Sequence, residues 1–214
     1  MKKLIAMGLT VIMTAVAVCG CGSSDSGNDA KKSDSQTKQQ AVKVIDVDLT
    51  SEEYAFGVDK NKPELLTQVN DFIKEIKDNG TFDEICNKYF GGGNPTPVKS
   101  EKLDTSKDQL LVATNASFEP FEYMKGDSYY GIDMEIAAAL AKKLNKELVI
   151  QNMEFDSVCL SVGQHKSDVA MAGLTVKEDR KKYVNFSDTY YNAAQRLIVK
   201  GDSTEFDSCK DKAA

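Results

Sequence analysis

Apolar positions along this chain fall into separated runs whose spacing predicts alternating strands and helices. The longest helical pattern opens at Pro63, a favoured first helical residue because a first-turn N–H has no intrahelical partner. Leu65, Leu66, Val69, Phe72, Ile73 and Ile76 recur at helical spacing, and Gly80 stops the run. Thr81 and Glu84 then predict a capping box for a second helix, with Ile85 and Tyr89 on one side and a stop at Gly91. Ahead of Pro63, residues 44–49 alternate as a strand and 54–58 read as another. Beyond position 109, "LLVAT" reads as a buried strand, Gly131-Ile132-Asp133 leads into a helix capped by Asp133, and Ile136, Ala137, Leu140, Ala141 and Leu144 form its apolar face. "ELVIQN" is a further strand, Asp156 caps a short helix ending near Gly163, and residues 168–172 form a third strand before a short charged helix carrying Arg180. Strands alternating with helices predict an α/β fold with a mainly parallel sheet flanked by helices.

Polarity divides the chain. The stretch 91–109, "GGGNPTPVKSEKLDTSKDQ", is dominated by Gly, Pro, Ser and charge and reads as a linker, centred on 93–109, between ordered blocks at 41–92 and 110–194. Residues 23–40 hold almost nothing apolar, so they cannot bury enough surface to offset ordering, and 21–40 reads as a tether. Before it, Lys2 and Lys3 precede an apolar run at 4–18, too short for an ordinary membrane span, ending in Val18-Cys19-Gly20-Cys21. A small residue before a cysteine resembles a lipobox: residues 1–20 are a signal peptide and Cys21 the lipid-bearing first residue. An ordinary secretory leader with incidental cysteines is the plainer alternative. The 214 residues, 41% of them hydrophobic, fit about one compact domain plus unstructured ends. A formal net charge of −6 argues against a nucleic-acid partner. Beyond Cys21, Cys86, Cys159 and Cys209 are odd in number and widely spaced, which argues against a disulfide framework. His165 is the single histidine, in the polar turn "GQHKSD", and reads as a solvated loop residue; no metal site and no cofactor is expected.

The segment 168–191, "DVAMAGLTVKEDRKKYVNFSDTYY", carries the chemistry. An arginine after a strand, a glycine and a threonine suits a free amino acid, because a guanidinium meets a carboxylate with two parallel hydrogen bonds. With "ATNASFEPFEY" and "GIDMEIAAALAKKL", this segment resembles the N-terminal part of the bacterial extracellular solute-binding proteins, family 3, which feed polar-amino-acid ABC transporters. "LTSEEYAFGVDKNKPELLTQVNDFIKEIKDNGTFDEICNKYFG" resembles the C-terminal end of the same family. The resemblance implies a periplasmic-binding-protein-like (type II) large lobe, circularly permuted so that the family's end comes first. Residues 195–214 are expected to begin a second lobe that is otherwise mostly absent, as in a truncated chain.

In open parallel sheets, ligands bind beyond the carboxyl ends of the strands, which places loops 115–121, 152–156 and 173–180 at the site. The resemblance puts Arg180 on the ligand carboxylate, the Thr175 N–H on the same anion, the Gly173 carbonyl on the ammonium, and Phe118 and Phe155 against the ligand side chain. Asn115 stands where many relatives carry Asp, which weakens the case for a cationic ligand. Lys177 departs from the usual second threonine and is tolerated if it faces solvent. The plainer alternatives are a solvent-facing Arg180 paired with Glu178 or Asp179, core packing for Phe155, a core Phe121 and a surface Glu119. The implied partners are a polar amino acid, an ABC permease and, through Cys21, the membrane outer face. Two other classes stay open: an enzyme on the same scaffold, such as a dehydratase of small carboxylates, and an extracellular sensor module.

Overall fold

The computed structural model describes residues 42–206. The leader, Cys21, the polar stretch that follows it and Cys209 lie outside the described residues. In chain order the elements are β1 (Val42–Val44), β2 (Glu52–Tyr54), β3 (Gly57–Asp59), α1 (Pro63–Asp78), α2 (Thr81–Phe90), β4 (Gln109–Thr114), β5 (Ser117–Phe118), β6 (Glu122–Lys125), β7 (Ser128–Tyr130), α3 (Ile132–Lys143), β8 (Glu147–Asn152), α4 (Phe155–Gly163), β9 (Val169–Ala170), a 3-10 turn (Arg180–Lys182), β10 (Val184–Phe186), β11 (Tyr191–Ala193) and β12 (Ile198–Lys200).

The central sheet runs β10-β3-β9-β4-β8. Its core is parallel, with β4 flanked by β8 and β9, while β3 and β10 add antiparallel pairings at one side. The sheet is therefore mixed, and β3, from the first block, lies between two strands of the second. The two blocks complete one fold. β4 is apolar almost throughout because both its faces are covered. Leu110 and Val112 join the cluster of α1, α2 and α3, while Ala113 faces Val158 and Val162 of α4. Phe56 stacks on Tyr190 at 4.3 Å between ring centres, which ties the first block to the last strands.

α1 forms as its spacing predicts, burying Leu65, Val69, Phe72, Ile73 and Ile76. Several local expectations are corrected by tertiary partners. The strand expected at 44–49 is β1 instead, paired with β12, because the Val47 N–H turns back onto the Ile45 carbonyl and breaks the ladder. The 54–58 stretch is split between β2 and β3. Thr81 makes no capping box: Gly80, at φ 83°, stands at the cap position and the Asn79 side chain takes the Thr81 N–H at 2.9 Å. Asp133 and Asp156 are not caps either; Gly131 and Glu154 hold those positions, and Asp133 is drawn into the core by other donors. The third strand shortens to Val169–Ala170, and the charged helix is a single 3-10 turn because β10 begins at Val184.

The expected linker is not loose. Val98 is buried and pairs with Tyr129, Thr96 N–H donates to Glu135, and Ser100 Oγ accepts from Ile150. His165 is likewise anchored rather than merely solvated: its Nδ1 lies 2.9 Å from both oxygens of buried Asp59, and Asn61 meets its Nε2 at 3.1 Å. Cys86 and Cys159 are free thiols.

Tyr89 links the two blocks: its hydroxyl donates to Glu135 at 2.8 Å and accepts the Gly131 N–H at 2.9 Å. Tyr89→Phe leaves a part-buried N–H without its acceptor, so urea denaturation is expected to show a loss of about 1–2 kcal/mol. An unchanged midpoint would mean that this bridge does not hold the blocks together.

Candidate functional site

The carboxyl ends of β4, β8 and β9 open onto one cleft of about 350 Å3. All six residues singled out from the sequence line it: Asn115 and Phe118 after β4, Phe155 after β8, and Gly173, Thr175 and Arg180 after β9. Glu52, Tyr54, Ser117, Glu122, Ala172 and Gln195 complete the wall.

Arg180 is positioned by two contacts. One Nη donates to the Thr175 carbonyl at 2.8 Å, and the guanidinium lies over the Phe155 ring, 5.0 Å from its centre. Neither acidic neighbour holds it: Glu178 pairs with Lys181, and Asp179 takes the Arg180 backbone N–H. Among the described residues the guanidinium has no ion pair, so a cation with donors to spare stands at the cleft wall, half-buried and oriented.

Thr175 faces Tyr54 in an antiparallel bridge whose two hydrogen bonds run between flanking residues, Ala55 N–H to the Leu174 carbonyl and Val176 N–H to the Glu53 carbonyl. The bridge therefore leaves the Thr175 N–H unused. Its hydroxyl donates to Glu52 at 3.3 Å, so it belongs first to the wall. Gly173, at φ 51°, fits a turn in which an added Cβ would sit 3.0 Å from the Phe118 ring, so a larger residue would crowd the aromatic wall. Phe118 stacks on buried Phe121, with 44% of its own surface exposed; Phe155 is 38% exposed. Both present faces to the cleft rather than filling the core. Asn115 is consumed internally, its Nδ2 bonded to the Met153 carbonyl and its Oδ1 to the Ser117 hydroxyl, so it shapes the wall by tying the β4 and β8 loops together. Glu119 and Lys177 are exposed and do not line the cleft.

Sequence reasoning assigned no site role to the residues contributed by the ribbon β2–β11. Glu52 accepts from the nearby Thr50 hydroxyl and, across the pairing of the 42–54 and 191–200 segments, from Gln195. It also passed over the acids beneath Gly173. Asp133, fully buried, accepts the Gly173 N–H at 2.9 Å and the Tyr190 hydroxyl at 2.6 Å. Glu122 is buried in the cleft wall, and its Oε2 has no hydrogen-bond partner. Burial raises both carboxyls above the ordinary carboxylate range; Glu122 is pushed further by the nearby charge of Asp133, whereas the Gly173 and Tyr190 donors hold Asp133 down. Asp133 is the one of the pair that is solvated by protein donors, and it carries the charge more readily.

The arrangement offers a free guanidinium and backbone donor for an anion, a carbonyl turn and acids for a cation, and two open aromatic faces. The sequence matches the family model of bacterial extracellular solute-binding proteins, family 3, over residues 10–92 and 110–211. It is 40% identical over 100 residues to the arginine-binding extracellular protein ArtP of Bacillus subtilis (strain 168), covering 47% of this chain and 39% of that relative. It is 34% identical over 108 residues to the arginine-binding periplasmic protein of Mannheimia haemolytica, covering 50% of this chain and 45% of that one. Among solved structures, the arginine-bound form of domain 1 from TmArgBP is 34% identical, with a TM-score of 0.40, covering 49% of this chain and 90% of that one. The chain thus spans less than half the length of these two curated relatives.

Proposed function

The chain belongs to the bacterial extracellular solute-binding proteins, family 3, and from that premise we propose that it is the amino-acid-binding component of an ABC transporter. Arg180 and the Thr175 N–H receive the ligand carboxylate, the Gly173 carbonyl receives its ammonium, and Phe118 and Phe155 flank its side chain. The observation that carries this reading is the Arg180 guanidinium, without an ion pair among the described residues and held over Phe155 in a cleft that also collects Asn115, Phe118, Gly173 and Thr175. In the proposed setting Cys21 anchors the protein to the outer face of the membrane, residues 21–40 serve as tether, and the permease is the partner. A circular permutation accounts for the order of the family-like segments: β3, α1 and α2 close the sheet and core that the second block begins. Residues 195–214 are the start of a second lobe, which in a complete protein closes over the ligand by a hinge motion.

An enzyme on the same scaffold would need a cleft acid or base able to reach substrate. Glu122 is a carboxyl in the wall, but it is 1% exposed and its charged neighbour is Asp133, so it stands back from the open cleft where a substrate would need its proton. The relatives reported above are named as binding proteins.

The described cleft is one wall, so the 214-residue chain is expected to bind free L-amino acids saturably but weakly, in roughly the millimolar range, by NMR titration. The absence of any saturable binding would contradict the function. Micromolar binding by the same chain would contradict the one-wall description.

A further inference from the structure

We infer that Glu52 is a positioning residue for the ligand ammonium: its carboxylate holds the Thr175 hydroxyl so that the oxygen lone pairs stay open to the cleft, and it stands behind that oxygen as a fixed negative charge. The inference rests on the amino-acid-binding reading and deepens it, because it makes this wall select α-amino acids over other carboxylic acids.

Glu52 and Tyr54 alternate with Glu53 along β2, so both turn to the cleft that they line while Glu53 is exposed. Donors from both crossing segments fix the carboxylate there. Its Oε1 accepts from the Thr50 hydroxyl at 3.0 Å and from the Gln195 Nε2 at 2.8 Å, and its Oε2 accepts from the Thr175 hydroxyl at 3.3 Å. Burial pushes the Glu52 carboxyl up, but these hydrogen bonds and one from Tyr54 outweigh it and hold it below the ordinary carboxylate range. Each of these donors is neutral, and among the described residues Glu52 has no ion pair. Glu122, the other acid of the wall, is raised above that range by burial, so Glu52 is the ionised acid of the lining.

Arg180 is the cation of the same lining, and the two charges do not pair. Thr175 stands between them, with its carbonyl on the Arg180 guanidinium at 2.8 Å and its hydroxyl on Glu52. An ionised carboxylate only accepts, so the Thr175 O–H points at Glu52. The hydroxyl oxygen keeps its lone pairs, and no donor among the described residues takes them. An amino acid carries its positive charge one carbon away from its negative one, which matches a cleft whose cation and anion are held apart by one residue. With the ligand carboxylate on Arg180, an α-ammonium gains both the hydrogen bond to the Thr175 oxygen and the attraction of the carboxylate behind it. An α-hydroxyl in its place gains the hydrogen bond without the attraction. Glutamine at position 52 offers Thr175 either a donor or an acceptor and carries no charge, so it loses both the fixed orientation and the attraction.

The test uses the full 214-residue chain, titrated by NMR near neutral pH with L-arginine and with L-argininic acid, in which a hydroxyl replaces the α-ammonium. The parent is expected to prefer the amino acid. Glu52→Gln is expected to weaken L-arginine by about tenfold, as loss of a charge-assisted contact does, and the hydroxy acid by less than about twofold. Glu52→Asp keeps the charge on a shorter stem, and its preference for the amino acid is expected to fall between those of the parent and Glu52→Gln. A residue that merely clamps the strand crossing through Thr50 and Gln195 would weaken both ligands alike. Equal weakening of the two ligands, or unchanged binding of L-arginine, therefore overturns this inference and leaves the function intact. A preference no higher in Glu52→Asp than in Glu52→Gln removes the charge from the account and overturns it as well. A parent chain that binds neither ligand overturns the amino-acid-binding reading together with it.

Discussion

Arg180→Ala is expected to weaken binding of free L-amino acids by about 100-fold or more, a loss of roughly 3 kcal/mol for two charge-assisted hydrogen bonds. Among the described residues the side chain has no ion pair to lose: it bonds the Thr175 carbonyl and lies over the Phe155 ring, both part of the cleft. Stability should therefore change little, and the variant's denaturation midpoint is the control. Arg180→Lys keeps the charge but not the planar fork, nor the stacked guanidinium face over Phe155, and is expected to recover only part of the loss. Wild-type affinity in the alanine variant would remove the carboxylate from Arg180. A large drop in stability would instead make Arg180 a structural residue.

Gly131→Ala should have the largest effect on the fold. Gly131 sits at φ 124°, outside the range comfortable for other residues, and an added Cβ would lie 2.0 Å from the Phe121 carbonyl oxygen and 2.7 Å from the Glu122 nitrogen. These are backbone atoms that cannot swing aside. The same carbonyl takes the Asp133 N–H at 2.9 Å, and the Gly131 N–H is held by Tyr89. The methyl must push apart the start of α3 and the β6 strand, with a cost on the order of 4 kcal/mol or more, a large share of a typical domain's stability. Because Phe121 supports Phe118 and the next residue is Glu122, the cleft should deform together with the core. Circular dichroism of the purified variant during urea denaturation would show this; a midpoint equal to the parent's would mean that the turn relaxes without cost.

The parts legible in the sequence are those whose causes are local. α1, α3, β4 and β8 follow from apolar spacing within a dozen residues or so. The strand-end loops that form the cleft follow from the parallel arrangement together with the family-like segment around Gly173, Thr175 and Arg180. What was not legible depends on partners far along the chain. His165 reads as a solvated loop residue until Asp59, 106 positions away, is placed beside it. Asp133 reads as a helix cap until the Gly173 N–H and the Tyr190 hydroxyl, 40 and 57 positions on, claim it. Glu52, Tyr54 and Gln195 join the cleft through the pairing of β2 with β11, which no local pattern encodes. The linker shows the same limit: its Gly and Pro content reads as loose, yet Val98 and Ser100 find fixed partners on β7 and β8. Glu122 is not singled out by any local pattern, and only the fold shows it buried in the cleft wall.

The central claim is that the Arg180 guanidinium and the ligand carboxylate meet directly. The measurement that tests it pairs two changes: an L-amino acid against its carboxamide, and the parent chain against Arg180→Ala, with affinities from NMR titration under one buffer and salt. The prediction is that removing the ligand's charge costs the parent about tenfold or more and costs the alanine variant almost nothing, a coupling of at least roughly 1.4 kcal/mol. Equal losses in both proteins, with no coupling, would show that the carboxylate sits elsewhere and would contradict the account.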